Sequence, residues 1–348
     1  MHKLLKDISL PITEEEYRND GCLHYSTLAT YERGGFGVIA TLGEKKESES
    51  LLFGSLVDTL LTGTQEEFNE RFFVADFDKL KPSEVTVVRA LFDRYHTDYN
   101  SLDRIPDADL LAIANEVGYG KGWRDSTRIT GMKNCAEYYN LLILAETKTV
   151  VDNATYQQAL AAVEALRTSP STRDYFAQDN PFNDRFERLY QGKFRATFDG
   201  LQYSCMADLI VVDHEKKIIY PCDLKTSSHK EYEFMESFIH WNYDIQAREY
   251  AAILKDTLSK DEYFKDFTIM PYRFIVVNRE NLDPRVWVWK YTFSDVDITI
   301  TTQSGKVERM RNFRTIGKEL SHYLETQQKV PDGITDKPND LAAWIEKM

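Results

Sequence analysis

The segment Tyr203 to Ser228, YSCMADLIVVDHEKKIIYPCDLKTSS, constrains the fold more than any other part of the chain. Apolar residues fill Leu209–Val212 and Ile218–Tyr220, and the polar run His214-Glu215-Lys216-Lys217 separates them, which predicts a buried β-hairpin with a short turn. With Asp213 and Ile218 closing that loop, counting outward sets Asp208 opposite Asp223. Opposed residues on antiparallel strands hold their Cβ atoms about 5 Å apart, and like charges there repel. A cation is therefore expected between them. Side chains alternate along a strand, so Lys225 leaves on the face of Asp223 while Leu224 points into the opposite layer. Two carboxylates and an ammonium then meet at the end of an otherwise apolar hairpin.

Taken alone, an Asp-x-Lys triplet is equally a buried ion pair with a surface Asp nearby, because short charged motifs recur by chance. Its surroundings are more particular. Asp208 ends one apolar strand, Asp223-Leu224-Lys225-Thr226 ends the next, and Glu233 to Lys255 follows as a single predicted helix. That helix carries Ile239, Tyr243, Gln246, Tyr250 and Ile253 on one stripe. Gln246 and Tyr250 either pack the helix, or brace the catalytic face or contact DNA.

In these residues the chain resembles the PD-(D/E)XK nucleases, and within them the RecB/RecE-like and lambda-type phage exonuclease branch. The matching positions are Asp208, the run Asp223-Leu224-Lys225-Thr226, and a Gln-x-x-x-Tyr motif at Gln246 and Tyr250, with Glu187 standing where the family has a further acidic residue before the hairpin. The likeness spans roughly Leu51–Leu254, and its specific motifs lie in the second half. It implies an α/β fold, a restriction-endonuclease-like core in which a central mixed β-sheet is flanked by helices, with an N-terminal helical elaboration. It further implies Asp208 and Asp223 as metal ligands, the Leu224 carbonyl as another, Lys225 as the catalytic lysine and Glu187 as an accessory acid. Gln246, Tyr250 and Thr226 become DNA-binding or supporting residues.

The chemistry expected of such a site is metal-assisted hydrolysis. Close carboxylates bind Mg²⁺ through oxygen, with Mn²⁺ as a substitute, and the ion acidifies a water and screens the phosphodiester while Lys225 positions that water or stabilises developing charge.

A further ligand is expected on an early helix. Relatives of this kind place a metal-binding His after a Phe-Gly-Ser-like start, and here Phe53-Gly54-Ser55-Leu56-Val57-Asp58 sets Asp58 at that position. An exposed helix-surface carboxylate is the plain alternative. Leu56, Val57, Leu60 and Leu61 around it suggest burial, where an unpaired carboxylate is costly and a cation removes the cost.

Composition sets limits on this picture. The net charge of −13 over 348 residues repels phosphate at long range, so DNA binding requires a local basic track and bound cations. Cys22, Cys135, Cys205 and Cys222 lack C-x-x-C spacing, which argues against a zinc ribbon or a disulfide framework and gives no support for an iron–sulfur cluster; Cys205 and Cys222 read as buried small hydrophobes. Neither Arg33-Gly34-Gly35-Phe36-Gly37, read as a loop, nor Gly118-Tyr119-Gly120-Lys121-Gly122 has P-loop spacing. With no long apolar run and no signal-peptide pattern after Met1, a soluble cytoplasmic protein is expected, in the host cytoplasm if phage-encoded.

Along the chain, the first 20 residues read as a loosely docked arm, followed by a helix opening at Ser26. Helices are predicted over Leu51–Leu61, stopped by Gly63, and over Pro82–Tyr95, Asp107–Val117, Met132–Glu146 and Ala154–Thr168. Arg185–Phe194 and Ala196–Phe198 read as strands feeding the hairpin, Arg273–Asn278 and Val286–Tyr291 as a further strand pair, and Val307–Thr326 and Asn339–Met348 as terminal helices. Trp287 and Trp289 share a strand face, placed in the core or at a subunit contact rather than under a stacked base. The expected division is a mainly helical part, residues 1–168, contributing to the site of a nuclease core over residues 169–348, the two integrated as one domain.

The function expected is a Mg²⁺-dependent exonuclease acting on linear duplex DNA ends in phage-type recombination or DNA processing. The resemblance also implies a symmetric oligomer enclosing DNA and a single-strand annealing protein as partner, with no membrane role. The alternative is a catalytically weak DNA-binding or recombination accessory protein of the same fold. A purely structural interaction protein leaves the opposed carboxylates unexplained.

Overall fold

The computed structural model describes residues 2–42, 48–78, 80–177, 184–227, 230, 233–302 and 304–326. The helix expected over Asn339–Met348 lies outside them. The chain forms two compact units, one spanning Ser48–Ala165 and the other made from the flanking parts of the chain. The residues before 48 thus belong with the sheet-bearing part rather than with the helices that follow them.

The N-terminal residues are firmly docked, contrary to the loose arm expected. Leu5 is fully buried, Leu10 N–H donates to the Lys193 carbonyl at 2.8 Å, and helices α1 (Glu14–Arg18) and α2 (Tyr25–Gly34) follow. Thr13 and Glu16 form a capping box on α1, while α2 begins after His24 without a side-chain cap. The glycine-rich run after α2 is a 3₁₀ segment over Gly35–Thr41 rather than an open loop.

The helical unit contains α3 (Glu49–Thr62), α4 (Gln65–Arg71), α5 (Pro82–Tyr95), α6 (Asp107–Glu116), α7 (Asp125–Lys133), α8 (Ala136–Ala145) and most of α9 (Asn153–Thr168). Ser48 caps α3 by accepting from Leu51 N–H, and at its other end Gly63 N–H closes onto the Thr59 carbonyl. The single helix expected over Met132–Glu146 is broken between Lys133 and Ala136. Two short strands, β1 (Phe72–Ala75) and β2 (Thr149–Asp152), pair in parallel. Val88, Leu91, Leu110, Ile113, Met132 and Tyr139 from four helices fill the core of this unit.

The other unit is built on a mixed sheet. It comprises β3 (Phe186–Phe198), β4 (Leu201–Asp213), β5 (Ile218–Ser227), β6 (Thr268–Ile269), β7 (Arg273–Asn278) and β8 (Arg285–Val288). The order is β3-β4-β5-β7-β8, with β6 also on β5; β5 runs parallel to β6 and β7, and the other neighbours are antiparallel. Parallel neighbours need a crossover, supplied between β5 and β7 by α10 (Phe234–His240) and α11 (Tyr243–Ser259). The single helix expected over Glu233–Lys255 is therefore two, separated where Asn242 takes φ +55°. β9 (Ile298–Thr301) and β10 (Val307–Met310) form a separate hairpin before α12 (Phe313–Thr326), so the helix expected over Val307–Thr326 starts with a strand.

One face of the sheet carries α11 against residues such as Ile210, Val212, Ile219, Phe274 and Val276, with α2 and α12 completing the layer. Ile245, Ile253, Leu254 and Leu258 of α11 are buried there, each burial worth about 1.5–3 kcal/mol. Trp289 is buried in this layer and Trp287 packs on it, matching the core alternative for that pair. On the opposite face, Arg188 donates to the carbonyls of Asp174 and Tyr175 and holds the segment that follows α9 against the strands.

Candidate functional site

The central hairpin closes with Asp213 paired to Ile218, and its ladder runs to Leu209 paired with Cys222. Continuing that register by one step sets Asp208 across from Asp223, where the two strands part and β5 continues beside β7 alone. Asp208 stands at an irregularity. The β3–β4 ladder passes over Gln191 and Asp208, and Gln191 takes φ +51°. Across this point the helix-facing residues change from Tyr203, Cys205 and Ala207 to Ile210 and Val212, so β4 changes which alternate residues it presents. The Asp208 carboxylate consequently turns toward the neighbouring strand and accepts from Leu224 N–H at 2.9 Å.

Asp223 is buried, with 1% of its surface exposed. A carboxylate in that position needs compensation, and two residues supply it. Lys225 Nζ lies 2.6 Å from Asp223 Oδ2, and Gln246 Nε2 donates to Oδ1. The Lys225 side chain is 19% exposed and lies over the ring of Tyr243, 4.5 Å from its centroid. Burial works against the ammonium, but the negative charge of Asp223, with a smaller contribution from Asp208, outweighs it and holds Lys225 above the ordinary lysine value. Tyr25 from α2 has its own ionisation pushed up by burial, and its hydroxyl donates to the Trp241 carbonyl at 2.8 Å. Nothing in the motif itself points to Tyr25 or Tyr243; Tyr243 is legible only as a member of the helix stripe.

The structure therefore brings together Asp208, Asp223, Leu224, Lys225 and Gln246. Thr226 follows on β5 but alternation sends its side chain to the opposite face. Tyr250 lies one turn beyond Gln246, only 6% exposed, packed edge-on against Tyr272; its position matches the helix-packing alternative.

Glu187 is not part of this group. It pairs with Val212, four residues along β4 from Asp208, which is about 13 Å of strand. Its carboxylate accepts from Leu5 N–H at 2.8 Å and Lys6 N–H at 3.1 Å and meets His214 Nε2 at 3.2 Å. The position assigned to an accessory acid instead fastens the N-terminal residues to the sheet. Asp58 is carried by the helical unit, half-buried on α3 beside Leu56, Val57 and Thr59.

Among the described residues, no group of three or more His, Cys, Asp or Glu side chains is arranged as a metal cage. The two carboxylates, Asp208 and Asp223, and the neighbouring Leu224 carbonyl would offer an all-oxygen donor set. Mg²⁺ commonly uses one or two carboxylates and completes its shell with water and substrate phosphate, so this donor set fits the ion. The four cysteines are all free and buried, consistent with a packing role for Cys205 and Cys222. No helix among the described residues is long and apolar enough to cross a membrane.

Among solved structures, the chain is similar to a crystal structure described as "Putative exonuclease" from Eubacterium rectale, with 12% identity, a TM-score of 0.42, and coverage of 91% of this chain and 86% of that one. No family model matches the chain, and no curated protein matches it.

Proposed function

We propose that this protein is a metal-dependent nuclease that hydrolyses phosphodiester bonds of linear DNA. One observation carries the reading. Asp223 is buried between Lys225 and Gln246, with Asp208 bonded to the adjacent Leu224 peptide at the place where the hairpin strands part. A buried acid, a second acid and an ammonium at an opening between strands are costly for stability alone, and their convergence is what hydrolysis of a charged ester requires.

In this reading Asp208, Asp223 and the Leu224 carbonyl would hold Mg²⁺, with Mn²⁺ as a substitute. The bound ion would supply charge neutralisation and a more acidic water. Lys225 stays protonated at neutral pH because its neighbours hold its ionisation up, so it acts as a cation toward the phosphate or the nucleophile and not as a general base. Gln246 fixes the Asp223 carboxylate in one orientation. Tyr243 supports the ammonium from below. The finer assignment is an exonuclease of phage-type recombination or DNA processing, acting at linear duplex ends as a symmetric oligomer, with a single-strand annealing protein as partner.

A second reading, a catalytically weak DNA-binding or recombination accessory protein, is favoured by the absence of a third carboxylate, His or Cys in the group among the described residues. One experiment separates the two. Purified protein is incubated with 5′- or 3′-labelled linear duplex, single-stranded and circular DNA, with and without Mg²⁺ or Mn²⁺. Loss of linear DNA only with metal, while circles survive, supports the exonuclease. Binding without cleavage supports the accessory protein, and neither binding nor cleavage removes both.

A further inference from the structure

The break between α10 and α11 sets an unusual residue beside the candidate site. Trp241 ends α10, is 45% exposed, and is followed by Asn242 in the left-handed conformation at φ +55°. Its backbone is pinned from α2, because its carbonyl accepts from Tyr25 Oη at 2.8 Å and from Arg33 Nη1 at 3.0 Å. The Arg33 guanidinium also lies over the indole, 5.1 Å from its centroid, and the His240 ring meets it edge-on at 4.6 Å.

Two residues later Tyr243 lies beneath Lys225, and a step of two residues spans at most about 7 Å. A large aromatic surface is thus fixed, oriented and left open to solvent, two residues along the chain from the ring that lies beneath Lys225. Packing does not require this. The same helix pair packs Phe234, Phe238 and the half-buried Tyr243 among themselves and against Phe274, and Trp241 takes no part in that cluster.

We infer that Trp241 is a stacking platform for a nucleobase next to the scissile phosphate, with Arg33 as a positioning residue that backs the indole and fixes its backbone. The inference rests on the nuclease reading and adds a base-contacting residue to it. Every base presents a π-face, so the contact would grip single-stranded DNA without selecting sequence. The Arg33 guanidinium also sets a positive charge beside the platform, on a chain whose net charge is −13.

The test measures equilibrium binding of a fluorescent single-stranded oligonucleotide in Ca²⁺, alongside cleavage of linear DNA in Mg²⁺. Trp241→Ala is expected to weaken binding about 5- to 100-fold, and Trp241→Phe to retain most of it. A set of oligonucleotides carrying one abasic sugar at successive positions gives the decisive comparison. In the wild type one position should reproduce the loss seen in Trp241→Ala, and in Trp241→Ala that position should no longer matter. Wild-type cleavage together with a Trp241→Ala protein that binds within twofold, or that senses every abasic position as the wild type does, overturns the platform and leaves the nuclease intact. A wild-type protein that neither binds nor cleaves DNA overturns both.

Discussion

Lys225 Nζ lies 2.6 Å from Asp223 Oδ2, and each member of this pair is held by a residue of α11, Lys225 by the ring of Tyr243 and Asp223 by the amide of Gln246. The ion pair is therefore a structural joint between β5 and the crossover helix as well as the proposed centre of catalysis. Removing one partner from a buried pair leaves the other charge uncompensated, at a cost of about 3 kcal/mol or more. Lys225→Ala should abolish metal-dependent cleavage and also lower stability by roughly that amount in urea unfolding, whereas the neutral double variant Asp223→Asn with Lys225→Met should be equally inactive but closer to wild-type stability. Wild-type cleavage by Lys225→Ala would remove it from the reaction.

Gln246 offers a more graded experiment, because it touches Asp223 and no reacting atom in the proposed site. Loss of a hydrogen bond to a charged group costs about 1.5–3 kcal/mol, and loss of an outer partner to a ligating residue lowers metal affinity or activity about 10- to 100-fold. Gln246→Leu should accordingly raise the Mg²⁺ concentration needed for half-maximal cleavage, with partial recovery at high Mg²⁺. An unchanged Mg²⁺ requirement would reduce Gln246 to a packing residue.

Glu187 should behave in the opposite way. Its carboxylate accepts two backbone N–H groups of the N-terminal segment and meets His214. Glu187→Ala leaves those groups without their acceptor and should cost about 2–4 kcal/mol, with early proteolytic release of the first residues, yet kcat at saturating Mg²⁺ should stay within a few-fold of wild type. Loss of kcat on the scale of Asp223→Ala would restore the accessory-acid role.

These contrasts also mark how much could be read from residues alone. The hairpin register was legible because Leu209–Val212 and Ile218–Tyr220 are long apolar runs bounded by a polar loop, and a two-residue period allows little slippage when the strands are buried. The same counting placed Asp208 against Asp223. It could not reveal that β4 changes facing between Ala207 and Ile210, since an irregularity opposite Gln191 has no composition signal. The partners of Glu187 are not legible, because Leu5, Lys6 and His214 lie far away in sequence or use backbone groups that every residue has. The α10–α11 break was missed because Trp241 and Asn242 interrupt neither the apolar stripe nor the helical spacing; the turn depends on Asn242 accepting a left-handed backbone, which Asn does more readily than most residues.

Helix α11 also predicts an unusual pH dependence. Asp244 is buried and its acid is pushed up to about 7, chiefly by burial, with Arg248 pulling it down and the nearby Glu32 pushing it up. Arg248 is fixed independently by the carbonyls of Ser294, Val296 and Arg311. Glu249, one residue further on, is fully buried with neither carboxyl oxygen hydrogen-bonded among the described residues, and burial raises its ionisation well above the usual carboxylate range. Tyr17, Tyr203, Cys205 and Tyr250 surround it, none of them a cation. Both folded-state values lie above those of the unfolded chain, so the native state keeps protons that the unfolded chain releases from about pH 4 upward. The stability these two protons maintain is fully present below that pH. It falls as pH rises, for Asp244 until about pH 7, and for Glu249 through its own raised folded value. Glu249→Gln keeps the shape and removes the ionisation, so its urea midpoint should lie nearest the wild type's at about pH 4 and exceed it by a growing margin toward pH 8. Asp244→Asn should narrow the remaining difference between the two pH values. A Glu249→Gln protein less stable than wild type at pH 8 would mean that the carboxylate is ionised in the folded protein and has a partner there.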